Sequence, residues 1–238
     1  MGSVTNLQEV QQRNLKIGAI IQARMTSNRF PGKSMALLQG KPVVQHVIER
    51  VKLIKTPKGI KAPIKTVLAV PDTHASEPML IVADMMRIDN FCGDEKDVLN
   101  RYYGAARFFK FDIVIRVTAD CPFLDPIVCA DVLNLLLWRR LDYVSNLFPV
   151  RTYPLGLDCE VFTFDALEAA HMMTKLDYDR EHVTPWMQRT EDIKRACVSQ
   201  KIDASNKNWC IDEPEDIQRL ENEIKLGNIV HYKPLVKQ

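Results

Sequence analysis

The stretch IGAIIQARMTSNRFPGKS, residues 17–34, decides the fold. Its first seven residues are an apolar run too short for a helix and bounded by charge, which is how a strand buried on both faces reads. Ten residues follow that hold Arg24, Arg29 and Lys33 with no acid among them. Next, PVVQHVIERVKLI (42–54) sets apolar side chains at 43, 44, 47, 48, 51 and 54, the helical period, behind a proline tolerated in a first turn. The unit is strand, cationic loop, helix.

The same grammar repeats outward. IKTVLAV (64–70) and DIVIRVT (112–118) read as buried strands. Helices are expected over SEPMLIVADMMR (76–87), begun by Ser76, over DEKDVLNRYYGAARFF (94–109), begun by Asp94, and over PIVCADVLNLLLWRR (126–140). Such alternation predicts an α/β fold with a mostly parallel sheet and helices on both faces. Beyond residue 141 the pattern changes to short strands in DYVSN and DCEVFTF, a helix in DALEAAHMMTKL, and a polar helical segment, DREHVTPWMQR, interrupted near Pro185. IKRACVS and NWCID read as strands, and PEDIQRLENEIKL closes the chain with Pro214 in its first turn. The expected organisation is an extension over 1–15 and one domain over 16–238, in which 141–200 forms a small lobe.

With 46% hydrophobic and 26% charged residues among 238, the composition is that of an ordinary globular protein. No apolar run approaches the roughly 20 residues that span a bilayer. The first fifteen residues lack the apolar core of a signal peptide, so a cytoplasmic chain is expected. Asn6 stands where a myristoylation signal needs Ser or Thr. Six cysteines include no C-x-x-C and five histidines no H-x-x-x-H, which points to reduced, mostly buried thiols rather than zinc or disulfides.

Net charge is +2, but residues 1–71 carry twelve Lys and Arg against only Glu9 and Glu49. The lysines at 50–65 have no aromatic among them to stack a base, which argues against a nucleic-acid partner. A small anionic ligand gripped by the first part, with a metal held by carboxylates of the second, accounts for the asymmetry.

In an open α/β sheet, ligands collect at the carboxyl ends of the strands. The loop 24–33, the turns VPDTH (70–74) and TADCP (118–122), and Asp212 after NWC all fall there. PGKS (31–34) is not a Walker loop, because Ser27 stands where that motif needs glycine. No two of the nine glycines stand two apart, so the dinucleotide fingerprint is absent as well.

R-M-T-S-N-R-F-P-G-K (24–33) after a first strand resembles the signature R-x-x-S-x-R-L-P-G-K of cytidylyltransferases, the CMP-sugar-acid synthetases and their relatives. Within them the chain is most similar to the family named for spore coat polysaccharide biosynthesis protein F. The likeness continues through DVLNRYY (97–103), IRVTADCPFLDP (115–126), GLDCEVF (156–162), DREHVTP (179–185) and CIDEPED (210–216). Phe30 and Met35 replace the usual leucines, and Ala119 the usual glycine.

This resemblance implies a Rossmann-like sheet of the glycosyltransferase-A and nucleotidyltransferase type, and transfer of CMP from CTP to a small anionic acceptor with Mg²⁺. It implies that Arg24, Arg29 and Lys33 are the catalytic cations, with Arg29 and Lys33 on the β and γ phosphates and Gly32 letting the loop approach them. The nucleotide would also meet Gln22, Ala23, Ala69, Val70, Asp72, Gly93, Asp97, Thr118 and Ala119. Asp120 and Asp212 would hold Mg²⁺, and a homodimer is expected. For Asp97 the residues alone equally allow a helix-dipole role, and for Asp212 a helix cap.

On the acceptor side, Asp158 and Glu160 alternate with apolar residues and so share one strand face. Arg151, Arg180 and His182 lie in the acid-rich lobe, where unpaired cations suit a phosphonate, a phosphate monoester or a sugar acid; Arg180 and His182 also fit a salt-bridged helix face. Two rival readings remain open from sequence. One is a metal-dependent glycosyltransferase, although Asp120 is followed by Cys121 and Pro122 rather than completing Asp-x-Asp. The other is a nucleotide-binding protein without catalysis.

Overall fold

The computed structural model describes residues 15–60 and 62–229. Most of the expected 1–15 extension, with Asn6, and His231 at the other end lie outside them. The sheet has seven strands: β1 (Ile17–Gln22), β4 (Ile64–Pro71), β5 (Asp89–Gly93), β6 (Ile113–Thr118), β7 (Tyr143–Ser145), β8 (Glu160–Thr163) and β9 (Arg195–Cys197). Their order is β5-β4-β1-β6-β8-β7-β9, while Leu37–Leu38 (β2) and Lys41–Pro42 (β3) form a separate two-stranded ribbon. β5, β4, β1 and β6 run parallel, and β8 enters antiparallel to β6. The segment 141–200 thus contributes β7, β8 and β9 to the same sheet.

β1 is central and buried on both faces, as its unbroken apolar run requires. Ala19 and Ile21 pack into one core with α1 (Val43–Val51), α2 (Glu77–Met85) and α4 (Pro126–Arg139). Ile20 faces the other core, shared with α3 (Val98–Phe109) and α5 (Phe164–Met173). A Cβ at Gly18 would stand 2.1 Å from the ring of Phe111, so glycine is what lets that aromatic pack flat against β1. Among the described residues no helix is long and apolar enough to cross a membrane.

Several expectations shift at element ends. Ser76 does not cap α2; its hydroxyl donates back to the Pro71 carbonyl at 2.7 Å, and α2 starts after a short 3₁₀ turn. Asp94 closes its own turn by accepting from the amides of Lys96 and Asp97, both at 2.8 Å, and Asp97 is the residue that caps α3, accepting from the Asn100 amide. Pro42 precedes α1 with extended dihedrals rather than opening it. NWCID is not a strand. Only Asn208 bridges, to Leu155, and Trp209 and Ile211 bury their bulk in a third core with Leu220 of α8 (Pro214–Lys225). β5 has no clear sequence signal, since DNFCG is an exposed edge rich in turn formers.

Candidate active site

Consecutive strands run outward from β1 through β4 to β5, and the chain then returns to lay β6 on the other side of β1. This is the topological switch point, where open α/β sheets form a crevice at the strand carboxyl ends. Gln22, the last residue of β1, pairs with Ala69 on one side and Thr118 on the other. A cleft of about 290 Å³ opens there, lined by Gln22, Arg24, Arg29, Lys33, Asp120 and Asp212 among others.

The cationic loop folds back on itself to reach this cleft. Gly32 takes φ 76°, a left-handed conformation that favours glycine, and its amide donates to the Met25 carbonyl at 2.8 Å. A single 3₁₀ turn, Lys33–Met35, follows, and the Ser34 hydroxyl donates to the Arg24 carbonyl at 3.3 Å.

The cations that have no acid near them in sequence find acids across the fold. Lys33 Nζ donates to Asp120 Oδ2 at 2.7 Å and to Asp212 Oδ1 at 2.9 Å. Arg29 lies 3.1 Å from Asp212 and 3.7 Å from Glu213, and Arg24 lies 3.7 Å from Glu181. Burial disfavours charge on Lys33, but its two carboxylate partners outweigh this and raise its pKa above the ordinary lysine value. Burial likewise pushes Asp120 up, and the Lys33 charge and hydrogen bond overcome it to leave Asp120 below the usual carboxylate value.

Asp212 is not the helix cap that the sequence allowed. Glu213 and Asp216 form the capping box of α8, and Asp216 accepts from the Asp212 amide at 2.8 Å, which leaves the Asp212 carboxylate to the cleft. The Ile211 amide donates to the Asp120 carbonyl at 3.0 Å and so ties the two acidic loops together. Two carboxylates brought to one cation supply the hard oxygens that Mg²⁺ takes when phosphates and water complete its shell. Among the described residues no group of three His, Cys, Asp or Glu forms a metal site, so substrate oxygens would have to contribute.

The remaining nucleotide-side residues gather at the same edge. Ala69 and Val70 are buried at the end of β4, Ala23 donates to the Ala69 carbonyl at 3.1 Å, and exposed Asp72 donates its amide to the Gly93 carbonyl at 2.8 Å. Ala119, 2% exposed, donates its amide to the Gln22 carbonyl. Thr118 contacts the Cys121 thiol at 3.3 Å, and that thiol stands 3.5 Å from Cys210. All six thiols are free, four of them buried.

The acceptor-side expectations need correction. Glu160 does not face a ligand: it is 2% exposed and holds Arg116, the Tyr143 hydroxyl and Gln188 in a buried network. β8 begins at Glu160, so Asp158 lies outside the strand, where it pairs with Arg151 through both guanidinium amines. Arg180, on α6 (Asp177–His182), pairs not with acids of its own helix but with Asp97, and Asp179 pairs with Arg189 instead. His182 is exposed, with its ring centroid 4.5 Å from that of Tyr178. Of the two arginines expected to be free, neither is.

Sequence reasoning missed Glu181, which ties α6 to the cationic loop through Arg24. The signal available was its place within DREHVTP. Val183 ends α6 at φ 72°, ψ −53°, a conformation that a β-branched residue holds only under packing, and it is fully buried.

The family model for cytidylyltransferases matches residues 18–235. The chain belongs to the cytidylyltransferase family. This cytidylyltransferase is 35% identical over 179 residues to uncharacterized protein MJ1063 of Methanocaldococcus jannaschii, covering 75% of this chain and 70% of that one. It is 26% identical over 205 residues to spore coat polysaccharide biosynthesis protein SpsF of Bacillus subtilis, covering 84% and 83%. A solved cytidylyltransferase structure from Leptospira borgpetersenii superposes with a TM-score of 0.79 at 27% identity, over 94% of this chain and all of that one. The cytidylyltransferase is therefore a nucleotidyltransferase enzyme, and its Rossmann-like sheet is that of its structural neighbours.

Proposed function

We propose that this enzyme transfers CMP from CTP to an oxygen of a small anionic acceptor and releases pyrophosphate. The observation that carries the reading is Lys33 Nζ held between Asp120 and Asp212, with Arg29 on the same Asp212, in the switch-point cleft. A nucleoside triphosphate brings about four negative charges, and phosphoryl-type transfer is catalysed mainly by position and field. In the reaction the acceptor oxygen forms a bond to the α-phosphorus as the bond to the bridging oxygen breaks, and the electron pair leaves with pyrophosphate.

Lys33 and Arg29 take up charge on that leaving group. Arg29 is 61% exposed in its side chain, so exchanging Asp212 for phosphate oxygens requires little rearrangement. Arg24 at the loop entrance orients the chain of phosphates. Asp120 and Asp212 would hold Mg²⁺, which supplies further neutralisation across the phosphate oxygens.

For the acceptor we favour a phosphorus oxyanion, a phosphonate or a phosphate monoester, over a sugar carboxylate. Both amines of the planar Arg151 fork are held by Asp158, and a phosphorus oxyanion, which such forks suit, would take the place of that carboxylate. A homodimer is part of the reading: Trp138, 56% exposed on α4, gives that helix an apolar end for a second copy, and sedimentation equilibrium checks it.

The test is pyrophosphate release from each of the four NTPs with Mg²⁺, against phosphonates, phosphate monoesters and sugar acids, with Asp120→Ala as the blank. Release with CTP and one acceptor class, lost in the variant, is the expected result. CTP binding without release under every acceptor overturns the reading in favour of a non-catalytic one, and equal release from all four NTPs overturns the choice of CTP.

A further inference from the structure

Arg101 is a buried cation that nothing above uses. It sits in the first turn of α3, within DVLNRYY, and is 1% exposed. Its Nη1 donates to the Asp94 carbonyl, while Nε and Nη2 are buried with no hydrogen-bond partner. A buried charge with two unanswered donors is a costly arrangement that natural folds rarely keep without use. Glu95, in the turn before α3, does not hydrogen-bond them; it accepts from the Thr26 hydroxyl of the cationic loop.

The two open donors are not independent. Nε–H and Nη2–H project in parallel from one edge of the planar guanidinium, an edge built to meet two adjacent acceptors. Asp94 occupies the other end of the group and fixes that edge in place. Gly93 packs against the Arg101 stem so closely that a Cβ there would lie 3.0 Å from Arg101 Cγ.

Gln22 has the matching deficit. α3 covers the sheet face that carries Ile20, Val67 and Ala69, and Gln22, two residues beyond Ile20, lies on that same face in register with Ala69. Its Oε1 is buried without a partner, and the residue lines the cleft that holds Lys33 and Asp120. Three of the six buried, unpartnered side-chain atoms among the described residues belong to these two residues, Gln22 at the carboxyl end of β1 and Arg101 against Gly93 at the carboxyl end of β5.

We propose that Arg101 is the specificity-determining residue for the nucleotide base, donating from Nε and Nη2 to the carbonyl oxygen and adjacent unprotonated ring nitrogen of cytosine while the Gln22 amide accepts from the exocyclic amine. This deepens the CTP reading above and rests on it. Donor, donor, acceptor on the protein complements acceptor, acceptor, donor on cytosine. Uracil carries a proton on that ring nitrogen, so the second arginine donor would face another donor and UTP would be rejected.

The test is calorimetric binding of CTP and of UTP, with Mg²⁺ and no acceptor, to the wild type, Arg101→Met and Arg101→Lys, with thermal melting of each free protein. The wild type is expected to prefer CTP. Both variants are expected to lose CTP affinity by roughly 10- to 100-fold, the worth of one good bidentate base contact, and to bring CTP and UTP within about threefold of each other. Arg101→Met is expected to melt at or above the wild-type temperature, because the unanswered donors are gone. A merely structural arginine predicts the opposite: a lower melting temperature and an unchanged CTP-to-UTP ratio, which would overturn the proposal. Should Arg101→Met not fold, the ratio in Arg101→Lys decides. A wild type that binds CTP, with variants that bind it equally, sinks this inference alone. A wild type that binds neither nucleotide sinks the CTP reading with it.

Discussion

Lys33 donates to Asp120 at 2.7 Å across 87 residues of chain, and each holds the other's charge in a site where burial alone would suppress both. Asp120, depressed in the folded state, contributes stability above the ordinary carboxylate value near 3.8 and loses it as pH falls through its folded pKa. Lys33, raised, contributes fully below about 10.5 and loses its share only as pH rises beyond that. Across neutral pH the pair is constant.

Removing the cation exposes the burial effect. In Lys33→Met the Asp120 pKa is expected to rise, since desolvation is then opposed chiefly by the hydrogen bonds of Thr118 and Cys121; a carboxylate NMR titration reads it directly. The same variant should lose about 10²- to 10³-fold in kcat, the scale of one lost charge-stabilising donor. Full turnover in Lys33→Met would remove the cationic loop from the chemistry.

Glu160 is expected to matter for folding and not for acceptor binding. Glu160→Ala strands Arg116 as a buried charge and should cost about 3–5 kcal/mol in denaturant unfolding. Turnover per folded molecule should hold below the new melting temperature. An intact melting temperature with a raised KM for the acceptor would restore the role that alternation in the sequence suggested.

Asp97 does two things that substitution can separate. It caps α3 through the Asn100 amide and pairs with Arg180 of α6. Asp97→Asn keeps a capping oxygen and loses the charge, so its cost should stay below about 1 kcal/mol. Asp97→Ala loses both and should cost more, about 0.5–2 kcal/mol for the cap alone. Equal losses in the two variants would mean that the ion pair, not the cap, carries Asp97's contribution.

The thiols offer a check on packing. Cys121 and Cys210 lie 3.5 Å apart; their mutual hydrogen bond and then burial push the Cys121 thiol well above its ordinary pKa. Iodoacetamide at pH 8 should therefore label half-buried Cys92 and Cys197 in the native protein, and Cys121, Cys129, Cys159 and Cys210 only after unfolding. Native labelling of Cys121 would contradict the closed packing beside Asp120.

The sheet was legible because its inner strands are buried on both faces: IGAIIQA and IKTVLAV have no other way to be read. β5 was not, since DNFCG at an exposed edge carries the residues of a turn. NWCID misled for the converse reason, apolar bulk in a loop that packs under a helix without joining a ladder. In the site, the acid-free run around Lys33 marked the loop, but what balances its charge lies 87 and 179 residues away, beyond any local pattern. Arg151 and Arg180 looked free on the same local grounds and were not. Arg101 hid inside a good helical period, where a cation reads as a solvated face until burial shows otherwise.

The most direct measurement is a ³¹P NMR time course of wild-type enzyme with CTP, Mg²⁺ and, in parallel tubes, a phosphonate, a phosphate monoester and an eight-carbon sugar acid. Cytidylyl transfer predicts that in one tube the CTP signals fall in step with the rise of pyrophosphate and of a new resonance for CMP joined to the acceptor. Release of inorganic phosphate in place of pyrophosphate, or CTP unchanged in every tube, would contradict it.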